Sequence, residues 1–181
     1  PFYTELLTGA EEAAEALGLT ILLTSSHTDP SRQRRQLEMF EQQRVRGVLV
    51  TPVGTDTATM RTLQAHGTPI VLVDAQADEH FCSVATDDLE GGRLAVQHLV
   101  DLGRWRIAVV GHRPGLPQVA HRYRGAREAV SKTPGVRLQF LPSKAMTILE
   151  GRRIGEQVAD MTPSERPDAI FATNDLLAIG L

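Results

Sequence analysis

Cysteine is almost absent from the 181-residue chain: Cys82 stands alone, so neither an internal disulfide nor a cysteine metal cluster can form. A single thiol fits a reducing compartment. Aromatic residues make up only 4% of the chain, which leaves a stacking ligand few partners. No apolar run reaches the roughly 18 residues that a membrane span needs, and no signal-peptide pattern opens the sequence. The formal net charge of −3 provides no basic surface for nucleic acid on this part of the protein.

Motifs that carry catalysis or cofactor binding are missing as well. Gly111 is followed by HRPGLP, which contains neither a GxGxxG fingerprint nor a lysine-bearing phosphate loop. No histidine pair has helical metal spacing, and no serine lies in a nucleophile elbow. Asp87 and Asp88 look like a paired-carboxylate site, but they lie at a strand-to-helix turn, where carboxylates favour the helix N-terminus. The sequence therefore predicts no cofactor and no metal, and argues against an enzyme.

The stretch TDDLEGGRLAVQHLVDLGRWRIAVVGHR, residues 86–113, organises the rest of the chain. It begins with a polar break. Apolar residues then recur at a helical period, which predicts a helix that ends at Gly103. The short apolar run at 107–110 predicts a buried parallel strand. Strands and helices alternate in the same way on both sides of it, which predicts parallel α/β architecture with helices on both faces. The predicted strands are Thr20–Thr24, Val48–Thr51, Pro69–Asp74, Cys82–Ala85, Ile107–Val110, Val136–Leu141 and Ala169–Ala172, and the predicted helices are Pro1–Leu17, Ser31–Gln43, Thr57–His66, Glu90–Leu102, Tyr123–Lys132, Glu150–Asp160 and Asp175–Leu181.

Six segments carry a family pattern: PFYTELLTGAEEAAEALG, DPSRQRRQLEMFEQQRVRGVLVTP, GTPIVLVD, TDDLEGGRLAVQHLVDLGRWRIAVVGH, RYRGAREAV and RPDAIFATNDLLAIG. In this order and spacing they resemble the effector-binding core of the LacI/GalR (lactose-repressor/galactose-repressor) family of bacterial transcription regulators. The resemblance covers nearly the whole chain. It implies a periplasmic-binding-protein-like type I fold: two parallel doubly wound α/β subdomains with a ligand cleft between them.

The polar break at residues 86–88, between two apolar blocks, predicts the boundary between the subdomains. The N-terminal subdomain is expected at residues 1–87 and the C-terminal subdomain at 88–181. The resemblance implies that the first lacks its first strand and that the second is truncated at its C-terminal end. The chain begins on a helix and ends partway through another, whereas a doubly wound sheet normally begins with a strand. We therefore expect a fragment of a longer protein, with a helix-turn-helix DNA-binding head outside it.

Ligands of open α/β sheets bind beyond the carboxyl ends of strands, which makes polar residues there the candidates. Arg122, in RYRG, matches the family arginine that binds effector hydroxyls or carboxylates, since a planar guanidinium can hold two oxygens at once. A surface arginine is the alternative, and in either role its removal is expected to change stability little. Asp74, after IVLV, matches the family aspartate that accepts bonds from sugar hydroxyls, with a solvated or helix-capping aspartate as the alternative. Asn174 can both donate and accept, whereas Asp175 is expected to cap the following helix.

Five further residues fall at family pocket positions. Phe2 and Tyr3 match the aromatic pair at the mouth of the cleft, where a ring packs on a sugar face or a base; a hydrophobic staple at the helix start is the alternative. His27, Gln118 and Met146 each follow a strand. Many sugar-binding members have an aromatic where Met146 stands, which weakens the case for a stacked sugar, and a methionine can equally fill a core.

The resemblance implies a non-enzymatic, cytoplasmic sensor. A small-molecule effector, a sugar being favoured, would change the affinity of the missing head for operator DNA. The core is expected to form a homodimer, with the predicted helices Ser31–Gln43 and Thr57–His66 as candidate surfaces. A periplasmic sugar-binding protein of an uptake system is the alternative, which the sequence before residue 1 would distinguish by a signal peptide or a helix-turn-helix. An α/β enzyme is a third and weaker hypothesis.

Overall fold

The computed structural model describes residues 2–27, 29–54, 57–75, 79–112 and 116–181. The chain divides into two compact units, Pro1–Ala85 and Thr86–Leu181, two residues before the division expected from the sequence. Each unit has its own three-stranded parallel sheet. In chain order the elements are α1 Phe2–Ala16, α2 Pro30–Gln42, β1 Val48–Val50, α3 Ala58–Ala65, β2 Ile70–Val73, β3 Cys82–Val84, α4 Asp88–Asp101, β4 Arg106–His112, α5 Pro117–Ser131, β5 Arg137–Ser143, α6 Ile148–Ala159, β6 Ala169–Ala172 and α7 Asp175–Gly180.

The sheet of unit 1 has the order β1-β2-β3 and is buried on one face. Alternate residues of β1 and β2 point to this face and pack against α2 and α3, because side chains alternate along a strand. On the opposite face Leu49 is 58% exposed. The buried cluster consists of Leu37, Val48, Val50, Met60, Leu63, Ile70, Leu72 and Phe81.

The predicted strand Thr20–Thr24 does not form, and this prediction was wrong. The segment is irregular, and Leu22 and Leu23 are exposed. A strand exists only through ladder bonds to a neighbour, and the ladders of unit 1 join only β1, β2 and β3 among the described residues. The apolar composition of the segment was therefore not sufficient to place it in the sheet.

Helix α1 forms as predicted but buries no residue completely. The apolar face is half-buried at Leu6, Leu7, Ala10 and Ala14, whereas Leu17, the last residue of the predicted helix, follows α1 and is exposed. Crossover helices of α/β units pack on the strands that they connect. The missing ladder at residues 20–24 therefore explains the shallow packing of α1. No helix within the described ranges is long and apolar enough to cross a membrane.

The sheet of unit 2 has the order β5-β4-β6 and is covered on both faces, as a doubly wound sheet requires. Strand β4 is central, and all its residues from Ile107 to Gly111 are buried. Helices α4 and α5 cover one face and α6 and α7 the other. The buried residues are Val96, Ile107, Val109, Ala126 and Ala129 on the first face and Ala108, Val110, Leu141, Ile154, Val158 and Leu177 on the second.

Helix α5 begins six residues earlier than the Tyr123 expected from the sequence. Pro117 occupies its first turn, where the missing N–H of a proline leaves no helical bond unmade and its fixed φ suits the helix. The predicted start at Tyr123 left the proline outside the helix. The earlier start places Gln118 and Arg122 on the helix itself.

Helices α4 and α5 touch backbone to backbone. A Cβ added at Gly92 would lie 2.0 Å from the carbonyl oxygen of Arg122, and one at Gly125 would lie 1.9 Å from the carbonyl oxygen of Leu89. Only glycine permits this approach, because any side chain would overlap the opposite main chain. The two glycines thus set the distance between the helix that begins at Asp88 and the helix that carries Arg122.

Asp168 joins the starts of β4 and β6. Its carboxylate accepts hydrogen bonds from the backbone N–H groups of Trp105, at 3.1 Å, and Arg106, at 3.0 Å. Partial burial raises the pKa of Asp168, but these backbone bonds and the charge of Arg106 outweigh it, so the pKa lies below its ordinary value. The carboxylate therefore stabilises the folded state in its ionised form.

Replacing Asp168 with asparagine is expected to lower the free energy of unfolding by about 1–2 kcal/mol at neutral pH. A depressed folded-state pKa contributes stability above the unfolded pKa of about 3.9, and this is lost as pH falls through the folded value. Urea unfolding at pH 7 and pH 3 should therefore show a difference from wild type that shrinks at the lower pH. Asp160→Asn, at an exposed aspartate, is the control; a pH-independent effect of Asp168→Asn would contradict the prediction.

Candidate functional site

Polar side chains lie where strands of both sheets end, which is where parallel α/β proteins hold ligands. In unit 1, Asp74 follows β2 and donates its backbone N–H to the carbonyl of Val84, at 2.8 Å. In unit 2, Thr173 follows β6 and donates its backbone N–H to the carbonyl of Val110, also at 2.8 Å.

Tyr3 and Asp74 are brought together in unit 1. The Tyr3 hydroxyl donates a hydrogen bond to Asp74 Oδ2 at 3.2 Å, although the residues are 71 apart in sequence. Phe2 packs edge to face against the Tyr3 ring, with centroids 5.1 Å apart. Three predicted site residues thus form one cluster, with an aromatic pair beside a carboxylate that accepts hydrogen bonds. This chemistry suits a ligand with hydroxyl groups and an apolar face.

Asp74 and His27 both have left-handed backbone conformations, with φ of 55° and 49°. Such values are uncommon outside glycine, although aspartate and histidine tolerate them better than most residues. At Asp74 this conformation directly follows the last residue of β2. His27 donates its backbone N–H to the Ser25 hydroxyl at 3.4 Å, at the end of the irregular segment. Its ligand role stays a prediction.

The Tyr3 hydroxyl should ionise at a higher pH than a free tyrosine. Burial raises the pKa of Tyr3, and the charge and hydrogen bond of Asp74 raise it further. In the 181-residue chain with Tyr123→Phe, Tyr3 is the only tyrosine, so tyrosinate absorbance of this chain reports its titration directly. Adding Asp74→Asn should move the pKa towards the ordinary value of 10.0. The same titration curve with and without Asp74→Asn would mean that the two side chains are not paired.

Arg122 is held by two partners in unit 2. Its Nε donates to Asp88 Oδ1 at 2.7 Å, and its Nη1 donates to the backbone carbonyl of Thr173 at 2.6 Å. The Asp88 side chain is 8% exposed and that of Arg122 is 34% exposed. The guanidinium is therefore positioned by helix α4 and by the end of β6, which argues against the alternative of an unconstrained surface arginine.

This arrangement changes what Arg122 can offer a ligand. Nε carries a single hydrogen, which Asp88 takes, so the edge formed by Nε and its neighbouring nitrogen cannot hold two oxygens of a ligand. Nη2 makes no hydrogen bond to any residue that the structure describes. The expected two-oxygen grip is thus reduced to donors at the far end of the guanidinium.

Asn174 caps helix α7, and the expectation that Asp175 would do so was wrong. Asn174 has extended backbone angles, and its Oδ1 accepts a bond from the N–H of Leu177 at 3.1 Å. Asp175 is the first residue of the helix itself, where a carboxylate still favours the dipole. Capping occupies the amide oxygen of Asn174, so the –NH₂ group is what it would present to a ligand.

Gln118 and Met146 are both half-buried. Gln118 lies in the first turn of α5, one turn before Arg122. Met146 packs against the apolar cluster under α6 and α7, which is the core-filling role considered as its alternative. Its ligand role stays a prediction. No group of three potential metal ligands occurs within the described ranges.

Asp88 is a candidate site residue that sequence reasoning missed. Both aspartates lie at the start of α4, as expected: Asp87 caps the helix by accepting from the N–H of Glu90 at 2.9 Å, and Asp88, in the first turn, also pairs with Arg122. A signal was nonetheless present. Asp88 lies four residues before Gly92, and Arg122 lies three before Gly125, so each shares a helix face with a glycine. Glycines that allow two helices to touch also bring together the side chains beside them.

Two units with parallel sheets and polar side chains at their strand ends are the architecture of a small-molecule-binding α/β protein. The chain belongs to the periplasmic binding protein domain family, which it matches over residues 1–181. It is 30% identical over 185 residues to the ribose operon repressor of Escherichia coli strain K12, covering 100% of this chain and 55% of that protein. The chain spans about half the length of the curated relatives that it matches.

Solved structures give the same result for the fold. The Cra transcriptional dual regulator of Pseudomonas putida, in complex with fructose 1-phosphate, has a TM-score of 0.84 at 28% identity, over 98% of this chain and 66% of that one. A periplasmic solute-binding protein of an ABC transporter from Actinobacillus succinogenes 130z, with bound D-allose, has a TM-score of 0.86 at 21% identity, over 99% and 67%. The second likeness shows the fold alone. The predicted fold class and the resemblance to LacI-family cores are confirmed.

Proposed function

We propose that this chain is the effector-sensing core of a LacI/GalR-family transcription regulator, with the two units as its N-terminal and C-terminal subdomains. The observation that carries the proposal is the match of the whole chain to an operon repressor at 30% identity. Polar groups at the strand ends of both units support it, because they suit recognition of hydroxyl groups. The protein acts in the cytoplasm on operator DNA, through a helix-turn-helix head N-terminal to this chain, and has no enzymatic activity.

The effector is a small molecule, and a sugar is favoured. Tyr3 and Asp74 in unit 1 and Arg122 in unit 2 are the residues proposed to contact it. Binding alters operator affinity only if the effector prefers one of two conformations of the protein, since a ligand with equal affinity for both shifts nothing. If the effector binds one conformation ten times more tightly than the other, saturating effector changes the ratio of the two conformations tenfold. This corresponds to a free-energy difference of about 1.4 kcal/mol.

A periplasmic sugar-binding protein is the alternative, which the fold shared with the solute-binding protein of Actinobacillus succinogenes supports. The two functions predict different sequences before residue 1. A helix-turn-helix supports the regulator, and a signal peptide supports the transport component. Reading the gene upstream of this segment decides between them.

A thermal-shift screen of the full-length gene product tests the proposal. The panel contains sugars, sugar phosphates, nucleosides and purines. A compound at a hundred times its dissociation constant stabilises the folded state by about 2.7 kcal/mol, which raises the melting temperature by roughly 5–11 °C. The same compound should change the affinity for operator DNA in a gel-shift titration. If no compound in the panel stabilises the protein, or if those that do leave DNA binding unaltered, the proposal fails.

The intact core is expected to form a homodimer. The helices α2 and α3 are the candidate surfaces, and Met39 on α2 is an exposed apolar side chain. Light scattering at micromolar concentration should give twice the monomer mass, and Met39→Arg should lower it. Leu94→Arg, at an exposed leucine of α4, is the matched control. A wild-type monomer would contradict the prediction.

A further inference from the structure

The guanidinium of Arg122 is already paired with a carboxylate before any ligand arrives. Asp88 Oδ1 lies 2.7 Å from Nε, and the Asp88 side chain is 8% exposed, so water screens this ion pair only weakly. The Thr173 carbonyl, at 2.6 Å from Nη1, adds a further electronegative atom on the other side of the guanidinium. The positive charge of Arg122 is therefore offset within the protein, although its remaining N–H groups can still donate.

The charged side chains that neighbour this pair in sequence add no net positive charge. Asp87 directly precedes Asp88, and Asp175 lies two residues after Thr173; both are exposed carboxylates. Arg93, one turn along α4, is paired with Glu90. Arg124 is exposed on α5, two residues from Arg122. The formal charges of these six side chains, Asp87, Asp88, Glu90, Arg93, Arg122 and Asp175, sum to −2, and Arg124 reduces that excess only to −1.

We infer that Asp88 is a specificity-determining residue that selects a neutral, hydroxyl-bearing effector and rejects a phosphate or carboxylate at Arg122. The inference rests on the proposed function and deepens it by naming the charge class of the effector. An anionic group at the free end of the guanidinium would lie within a few ångströms of the Asp88 carboxylate, and like charges at such a distance repel. A sugar hydroxyl accepts the same hydrogen bonds without this repulsion.

Geometry favours the same ligand class. Phosphate and carboxylate bind arginine most strongly through two parallel N–H groups. Asp88 takes the only hydrogen of Nε, which removes one of the two edges that allow such binding, and the bond from Nη1 to Thr173 holds the guanidinium in this orientation. A hydroxyl needs only one donor at a time. Both the charge of the Asp88–Arg122 pair and its hydrogen-bond geometry therefore favour an uncharged ligand.

The test compares wild type, Asp88→Asn and Asp87→Asn in the full-length gene product. Asparagine at position 88 keeps an oxygen that can accept from Nε but removes the charge, so Arg122 stays in place with its positive charge uncompensated. Asp87→Asn removes the same charge one residue away and retains a good capping side chain, which makes it a matched control. The probe is inorganic phosphate, followed by NMR of ¹⁵N-labelled arginine side chains, with the Nε signal of Arg122 assigned from the spectrum of Arg122→Lys.

We expect phosphate to cause a saturable shift of the Arg122 signal in Asp88→Asn, with at least tenfold tighter binding than in wild type or in Asp87→Asn. Saturable binding of equal strength in wild type and Asp88→Asn would overturn the inference, and so would the absence of binding in both. Asp88→Ser serves the same purpose if Asp88→Asn does not fold. This titration needs no knowledge of the effector, so its outcome is separate from that of the thermal-shift screen.

A second measurement uses ligand pairs that differ only in charge. D-ribose and ribose 5-phosphate, and D-fructose and fructose 1-phosphate, are titrated calorimetrically into the wild-type protein. Tighter binding of either phosphate ester than of its parent sugar would overturn the inference. Where a parent sugar binds, Asp88→Asn should shift the preference towards the ester by at least tenfold, and Asp87→Asn should leave it unchanged. Failure of every compound in the screen would count against the proposed function and not against the role of Asp88.

Discussion

Gly125→Ala is expected to lower the melting temperature of unit 2 by roughly 5–10 °C. A Cβ at this position would lie 1.9 Å from the Leu89 carbonyl oxygen and 2.7 Å from the Arg93 nitrogen. Both atoms belong to the main chain of α4, which cannot move aside as a flexible side chain could. The helices must separate, at a cost of about 3 kcal/mol, part of which the better helix propensity of alanine offsets.

The neighbouring glycine of α4 provides a matched control. Gly91 is exposed, and a Cβ there would meet nothing within 4 Å, so Gly91→Ala should stabilise the chain by up to about 1 kcal/mol. Fluorescence of Trp105, the only tryptophan, follows unit 2 specifically because it lies next to β4. Equal melting temperatures for Gly125→Ala and Gly91→Ala would mean that α4 and α5 are not in backbone contact. Separation of the helices should also weaken effector binding, because it would move Arg122 away from Asp88 and break the ion pair that positions the guanidinium.

Arg122→Ala is expected to destabilise the fold by about 2–3 kcal/mol, in addition to weakening effector binding about ten- to hundred-fold. The sequence suggested little effect on stability, because an arginine near a ligand is not part of a core. The structure revises this expectation, since removing Arg122 leaves the Asp88 carboxylate buried without its partner. The estimate lies below the usual range for a broken buried pair because the Arg122 side chain is 34% exposed.

Variants of the pair separate the structural role of Arg122 from its ligand role. Arg122→Lys keeps the charge beside Asp88 and should recover much of the stability, but little of the affinity, because an ammonium cannot reproduce the donors of a guanidinium. Arg122→Ala combined with Asp88→Ala should be more stable than the sum of the single effects predicts, by at least about 1 kcal/mol. Chemical unfolding gives the stabilities, and calorimetry with the effector found in the screen gives the affinities.

The exposed neighbour Arg124 is the control, and Arg124→Ala should change stability by no more than about 0.5 kcal/mol. If Arg122→Ala unfolds at the same denaturant concentration as wild type, the buried pair is not formed. If it is destabilised but binds effector normally, Arg122 is a structural residue and not a ligand contact.

Short-range patterns in the sequence predicted the elements that local chemistry decides. Gly103 ends a helix with φ of 74°, and the apolar run at residues 107–110 became the central, fully buried strand of unit 2. Helix starts were less certain, because a proline is compatible with a loop as well as with a first helical turn, as Pro117 shows. The structure has Asn174 and not Asp175 as the cap of α7 for a similar reason, since the side chains of both residue types can accept the capping backbone hydrogen bond.

The sequence by itself determined the parallel α/β class and the strand-end positions of Asp74 and Asn174, because each depends on residues close together in the chain. It also determined the family resemblance, which depends on the order and spacing of six such segments. Only the tertiary structure decided that Tyr3 meets Asp74, that Asp88 pairs with Arg122 across 34 residues, and that the segment 20–24 has no strand to pair with. Such contacts depend on how helices cross and on which strand lies beside which. Hydrophobic periodicity specifies which face of an element is buried, but not which other element will lie against that face.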